Sequence, residues 1–147
     1  MNFNNTSIDW HQVHEVISAA DRIMLSTHEN PDGDGLGAEC GLYYHLKETG
    51  KDVRVINYSP IPDYYSFLNS DQIFECYDQD SHEDWIKDVD LVIIFDVGNF
   101  VRIRTIVDAI KSYGLKTLNI DHHPHPDEHP FTHNVVDLSA AATGCMV

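Results

Sequence analysis

The sequence predicts an α/β fold, a doubly wound, mainly parallel sheet with helices on both faces. Three observations carry this. Short apolar, β-branched runs alternate along the chain with stretches of helical spacing, the order of repeated strand–helix–strand units. One run, Val89-Asp-Leu-Val-Ile-Ile-Phe95, is apolar enough that only a central strand covered on both faces suits it. Acidic and imidazole side chains fall just past the predicted strand ends, where open α/β sheets place their ligands.

The elements follow in order. Residues 8–20 form an amphipathic helix, with Trp10, Val13, Val16 and Ile17 on one face and Ser7 as its expected N-cap. Residues 22–27 read as a buried strand, and a loop over 28–35 leads into a helix over 36–49 that Gly50 closes. A strand over 52–58, a Pro-marked connection, a short helix around 64–68 and a weak strand over 72–76 come next. The clearest strand, 89–95, is followed by a helix over about 100–113 and a strand over 115–120. A Pro- and His-rich loop, a short strand near 134–136 and a small-residue helix from about Ser139 complete the chain. The sequence stops at Val147 inside an apolar helical pattern without a cap, so residues 1–147 are expected to be the first domain of a longer protein.

Composition excludes several functions. There are 9 Lys+Arg against 24 Asp+Glu, a formal charge of −15, so no basic face exists to track a long duplex or an anionic membrane. A phosphate ligand needs help from metal ions. Cys40, Cys76 and Cys145 are scattered and odd in number, which argues against a disulfide framework and for a reducing cytoplasm. No apolar run approaches the ~20 residues of a membrane span. Of the 10 histidines, His122, His123, His125, His129 and His133 crowd into one short stretch.

His28, Asp32 and Asp34 follow the first strand of the 22–27 region; Asp96 closes the Ile-Ile-Phe strand; Asp121, His122 and His123 close the next; and Asp137 closes the last. Carboxylates gathered at one crevice repel one another and resist desolvation, and divalent cations relieve both. An oxygen-rich set with two imidazoles suits Mn²⁺ or Mg²⁺ better than zinc, with Mn²⁺ first. In His28-Glu-Asn-Pro-Asp32-Gly-Asp34-Gly-Leu-Gly-Ala38 the amides of Gly35 to Gly37 are expected to open a helix and offer an anion site. A simple helix-capping Gly-Asp turn remains the alternative for this loop alone. A calcium loop is removed because its closing Glu position falls on Gly41. His125, His129 and His133 are expected to line a solvated loop, Glu75 has no evident partner, and Tyr58, Tyr64, Tyr65 and Phe67 are expected to be ordinary packing.

Taken together, His28-x3-Asp32-x-Asp34, Asp96 in Phe-Asp-Val-Gly98, Asp121-His122-His123, and Asp137 in Asp-Leu-Ser-Ala-Ala-Ala-Thr-Gly144 resemble the DHH phosphoesterase superfamily. The likeness is strongest to its oligoribonuclease (short-RNA) and pAp phosphatase branch, where pAp is 3′-phosphoadenosine 5′-phosphate. The resemblance implies a manganese-dependent phosphohydrolase with two ions, Mg²⁺ or Co²⁺ being alternatives. It assigns His28, Asp32 and Asp96 to one metal and Asp34, Asp96, His122 and Asp137 to the other, with Asp96 as bridge and a hydroxide between the ions as nucleophile. Asp96, His122 and His123 are thereby catalytic. His123, with Gly35 and Gly37, takes the substrate phosphate, and Asp121 orients its neighbours.

The implied substrate is a short oligonucleotide or a nucleoside 3′,5′-bisphosphate, with no long duplex and no membrane as partner and a homodimer as an option. Relatives of this branch carry a smaller C-terminal domain that grips the substrate end. Alternatives are a pyrophosphatase or exopolyphosphatase, a cyclic-dinucleotide phosphodiesterase, and a non-catalytic phosphate-binding module, whose signature would be loss of a ligand.

Overall fold

The computed structural model describes residues 2–4 and 8–147. The strands are β1 (Asn2–Asn4), β2 (Arg22–Thr27), β3 (Asp52–Asn57), β4 (Phe74–Cys76), β5 (Leu91–Phe95), β6 (Thr117–Asp121) and β7 (His133–Val136). They form one sheet in the order β1-β7-β6-β5-β2-β3-β4, and every adjacent pair is parallel. The helices are α1 (Trp10–Ser18), α2 (Gly33–Glu48), α3 (Gln79–Ile86) and α4 (Ile106–Tyr113).

Alternation along β5 shows how the two layers are filled. Leu91, Ile93 and Phe95 join the core beneath α1 and α2, with Val13, Ala38 and Leu46. Val92 and Ile94 join the core beneath α3 and α4, with Ile86, Ile106 and Ile110. Each fully buried aliphatic side chain contributes roughly 1.5–3 kcal/mol, so a strand buried on both faces must be apolar throughout. The chain leaves β2 toward β3 and β4, then returns to lay β5 against the other side of β2. The crevice at the carboxyl ends of β2 and β5 is therefore the switch point where such sheets receive ligands.

Several local features differ from the sequence expectation. The expected cap Ser7 lies outside the described residues, and α1 is capped by Asp9, whose carboxylate accepts from the Gln12 amide at 3.1 Å. Helix α2 starts at Gly33, three residues early, because Asp32 caps it through the Asp34 and Gly35 amides at 3.0 and 3.3 Å. The expected helix over 100–113 is split into a 3-10 turn, Phe100–Ile103, and α4. The break is at Arg104, which has a φ of 53° and an ion pair with Glu29. Helix α3 has only two buried residues, His82 and Ile86, too few to mark it by periodicity. In place of the expected helix from Ser139 stands a turn in which the Asp137 carboxylate accepts from the Ser139 amide and hydroxyl, followed by a 3-10 turn at Thr143–Cys145.

Candidate metal centre

Asp96 follows the last residue of β5, and its φ of 58° turns the chain sharply out of the sheet. This left-handed region is one that Asp enters more readily than most residues. The turn leaves the carboxylate buried at the floor of the crevice, with its two oxygens facing different neighbours. Oδ1 lies 3.4 Å from His122 Nε2 and 3.3 Å from His123 Nδ1, and it accepts from the Thr143 hydroxyl at 3.0 Å. Oδ2 lies 3.8 Å from His28 Nε2, and the same nitrogen is 3.8 Å from an Asp32 oxygen. Burial, with the Asp34 carboxylate nearby, pushes the Asp96 carboxyl above the ordinary range.

Both histidines are aimed by their second nitrogen. His28 Nδ1 is 2.7 Å from the Glu29 carbonyl, and His122 Nδ1 is 3.2 Å from the Ala140 carbonyl. A carbonyl can only accept, so at His122 the contact calls for a proton on Nδ1 and leaves Nε2 facing the carboxylates; His28 Nδ1 is also 3.1 Å from Arg102 Nη2, so two neighbours fix that ring with its Nε2 toward Asp32 and Asp96. Metal-binding histidines are ordinarily oriented in this way. His122 Nε2 also lies 3.5 Å from Asp34 Oδ2. Asp34 is itself fixed by the amides of Thr143 and Gly144, at 2.8 and 2.7 Å, from the far end of the chain. These separations approach the roughly 3 Å edge of an octahedron with ~2.1 Å metal–oxygen bonds. The donor chemistry fits divalent cations: two groups within ligand distance, His28–Asp32–Asp96 and Asp96–His122–His123, share one carboxylate, and Asp34 borders the second through His122.

His123 is committed differently. Its Nδ1 is 2.8 Å from Asp121 Oδ1, which also accepts from the His123 amide at 3.0 Å. The outward nitrogen, Nε2, is left to face whatever enters. Asp121 Oδ2 accepts from the Gly98 amide at 2.7 Å and lies 2.8 Å from His125 Nε2. Burial opposes ionisation of Asp121, but the hydrogen bonds from His125, Gly98 and His123 outweigh it and hold the carboxyl well below the usual range. Gly98 reaches this carboxylate with a φ of 60°, a backbone state that other residues rarely adopt. His125 is thus not a solvated loop residue: its side chain is 4% exposed and braces Asp121.

Other expected contributors are elsewhere. Among the described residues Asp137, like Asp34, is not a member of either group within ligand distance; its Oδ1 accepts from the Ser139 amide and hydroxyl, and these hydrogen bonds hold the carboxyl below the usual range. The amides of Gly35 and Gly37 do not form an open anion site. The early start of α2 gives the Gly35 amide to Asp32 and places Gly37 within the helix. Gly35 serves packing instead, since a Cβ there would sit 2.2 Å from the Thr27 hydroxyl oxygen. Glu75, which the sequence left without a partner, pairs with Arg54 and His82 at the sheet edge. Thr143, Gly98 and His125 are site residues that the sequence did not single out. For Thr143 the only signal was its place beside Gly144 in the last motif.

The sequence and the fold are similar to those of known proteins. Residues 22–147 match the DHH family, N-terminal domain. The chain belongs to the DHH family. Among curated DHH relatives, the bifunctional oligoribonuclease and PAP phosphatase NrnA of Bacillus subtilis is 34% identical over 132 residues, and that of Mycoplasma genitalium is 30% identical over 128. These alignments cover 89% and 86% of this chain and 38% of each relative. The chain thus spans less than half the length of the relatives it matches. An exopolyphosphatase-related protein from Bacteroides fragilis superposes with a TM-score of 0.81 at 26% identity, over 90% of this chain and 39% of that one. No described helix is long and apolar enough to cross a membrane.

Proposed function

We propose that this chain carries the metal-binding catalytic half of a phosphohydrolase acting on short oligonucleotides or nucleoside 3′,5′-bisphosphate with two divalent cations, Mn²⁺ foremost. The observation that carries the reading is Asp96, whose two oxygens face two separate donor groups from a buried position. His28, Asp32 and Asp96 would hold one ion; Asp34, Asp96 and His122 would hold the other. Asp137 stands outside both sets. When bound, such ions lower the pKa of water and neutralise charge that develops on a phosphoryl group.

The chain's own residues do the rest. Glu29 and Arg102 at His28, and the Ala140 carbonyl at His122, keep the two Nε2 atoms turned inward. Asp121 holds the His123 ring through Nδ1, so Nε2 faces outward and, in the doubly protonated ring, would donate to a phosphoryl oxygen. His125 and Gly98 keep Asp121 ionised for that purpose. The short-substrate assignment draws on the two functions in the names of the NrnA relatives and on the net charge of −15, which disfavours any extended backbone contact. It includes a smaller C-terminal domain that grips the substrate end, in keeping with the 38% share of those relatives.

Mn²⁺ titration followed by electron paramagnetic resonance tests the centre. Two ions per chain with a spin-coupled signal are expected, and one isolated ion would overturn the shared-carboxylate reading. A version extended through the C-terminal region, assayed with Mn²⁺, should turn over pAp or di- to tetranucleotides in preference to pyrophosphate, polyphosphate and long duplex. Preference for any of the latter three would overturn the substrate assignment.

A further inference from the structure

The 3-10 segment Asp63–Asn69 presents aromatic rings to solvent beside the metal-binding loop. Tyr64 is 72% and Phe67 71% exposed, where the sequence pattern suggested packing. Between them Tyr65 ties the group together, its ring centroid 4.5 Å from that of Tyr64 and 6.5 Å from that of Phe67. Tyr65 also lies directly on the loop: a Cβ at Gly33 would sit 3.1 Å from its Oη and Cε1. Gly33 separates Asp32 from Asp34, one from each proposed ligand set. A second tie runs from the Asn30 amide to the Ser59 hydroxyl at 3.0 Å. The rings are therefore anchored to the same loop that supplies the metal donors.

We infer that Tyr64 and Phe67 form a stacking platform for a nucleobase of the substrate whose phosphate lies at the metal centre. The inference rests on the function proposed above and names its base-binding subsite. Charge favours this occupant. With 24 Asp+Glu against 9 Lys+Arg, the chain has few cations to hold a nucleotide beyond its phosphate, whereas stacking needs none. Stacking is also tolerant of base identity, because every base offers a π-face. Two large rings kept in water are what such a subsite requires, and Tyr65, which contacts both, packs on Gly33 between Asp32 and Asp34, so the platform borders the donor loop.

The test compares binding of three probes by the Mn²⁺-loaded chain: 2-aminopurine riboside 5′-phosphate, ribose 5-phosphate and inorganic phosphate. Stacking is read directly as quenching of the 2-aminopurine fluorescence, and affinity by competition. The wild-type chain should bind the base-bearing probe about ten-fold tighter than ribose 5-phosphate. The double variant Tyr64→Ala/Phe67→Ala should reduce that ratio to near one and abolish the quenching, with binding of the two baseless probes unchanged. Tyr64→Phe/Phe67→Tyr should keep the ratio. Both residues are exposed, so folding survives, and a thermal melt verifies it. A wild-type ratio near one, or a ratio that persists in the double alanine variant, overturns the platform. So does self-association that disappears in that variant while the ratio stays near one. Absence of Mn²⁺-dependent binding of inorganic phosphate counts against the metal centre instead, and the base ratio then still decides the platform.

Discussion

The two proposed ligand sets that share Asp96 are built in different ways. His28–Asp32–Asp96 is mostly local: two of its members lie in one loop, His28 is oriented by the carbonyl of the next residue, and Asp32 doubles as the cap of α2. Asp34–Asp96–His122 is assembled across the chain. Its histidine is oriented by Ala140, and Asp34 is held by amides at Thr143 and Gly144, 109 and 110 residues away. The first group needs β2, β5, its own turn and the 3-10 turn whose Arg102 contacts His28 Nδ1 and the Glu29 amide. The second depends on the loop after β6 and the final turn being in place. Damage to the chain's last residues should therefore loosen the second group before the first.

The strongest way to break the comparison is to remove the member that both groups share. Asp96→Asn keeps the shape but replaces a charged bridge with a neutral amide, and the buried side chain cannot be replaced by another carboxylate from solvent. Mn²⁺ stoichiometry should fall below two. Turnover by the extended protein should drop by more than the 10–100-fold typical of losing a partner one step removed from a metal. Elemental analysis of the dialysed protein and a steady-state assay check this, and normal metal content would refute the bridge.

A narrower probe separates the groups. His125→Ala removes one of the partners of Asp121, and through it the anchor of His123, without touching His28 or Asp32. Turnover should fall about 10–100-fold while both ions are retained. Loss of the ion bound by His28 would show that the groups are not separable.

The strand ends of this site are legible in the sequence because apolar runs such as Val92 to Phe95 leave few places for the polar residue that follows, and parallel topology brings those places together. Asp96 and the Asp121-His122-His123 run are read in that way. What escapes are features set by tertiary contact. The start of α2 depends on which way the Asp32 carboxylate turns, and that decides whether the Gly35 amide is free. The burial of His125 depends on Asp121 lying within 2.8 Å of it. The exposure of Tyr64 and Phe67 depends on what does not cover them, and no local pattern encodes that. Helix α3 is missed for the opposite reason, since its cap Asp78 is visible but only two of its side chains are buried.

A further experiment sharpens the support of the first group. The Asn57 side chain accepts from the Thr27 amide at 2.9 Å, just before His28, and donates to Glu39 at 2.9 Å. Glu39 is fully buried, and burial raises its carboxyl to about 8 despite the Asn57 hydrogen bond. Between about 4.5, the ordinary value for Glu, and about 8 it is protonated in the fold and ionised in the unfolded chain, so unfolding releases a proton there. Its contribution to stability is complete below the unfolded value, declines as pH rises through that window by up to about 1.4 kcal/mol per unit, and levels off above it. Glu39→Gln is neutral throughout and should gain on the wild type with rising pH. The difference in Tm, measured in a chelator, should grow by about 2–4 °C for each kcal/mol. Parallel melting curves from pH 5 to 8.5 would mean that Glu39 is ionised in the fold.

The smallest expected effect concerns the boundary of the second group. Asp137 lies just after β7, at the same sheet edge as the donors, yet its Oδ1 accepts from the Ser139 amide at 2.9 Å and from the Ser139 hydroxyl at 2.6 Å. Those bonds make it the cap of a turn, and that turn carries Ala140, whose carbonyl aims His122. Asp137→Asn preserves an oxygen at Oδ1, so the turn survives and stability should change by no more than about 0.5 kcal/mol, the range of an ordinary surface substitution. Mn²⁺ affinity should stay within about two-fold, because an acceptor to Ser139 matters here and a full charge does not. A loss of ten-fold or more would move Asp137 into contact with the ion and give the second group four ligands in place of three. Ser139→Ala separates the cases further. Freeing the carboxylate should leave metal affinity unchanged if Asp137 only caps the turn, and should raise it if Ser139 competes with the ion for Asp137.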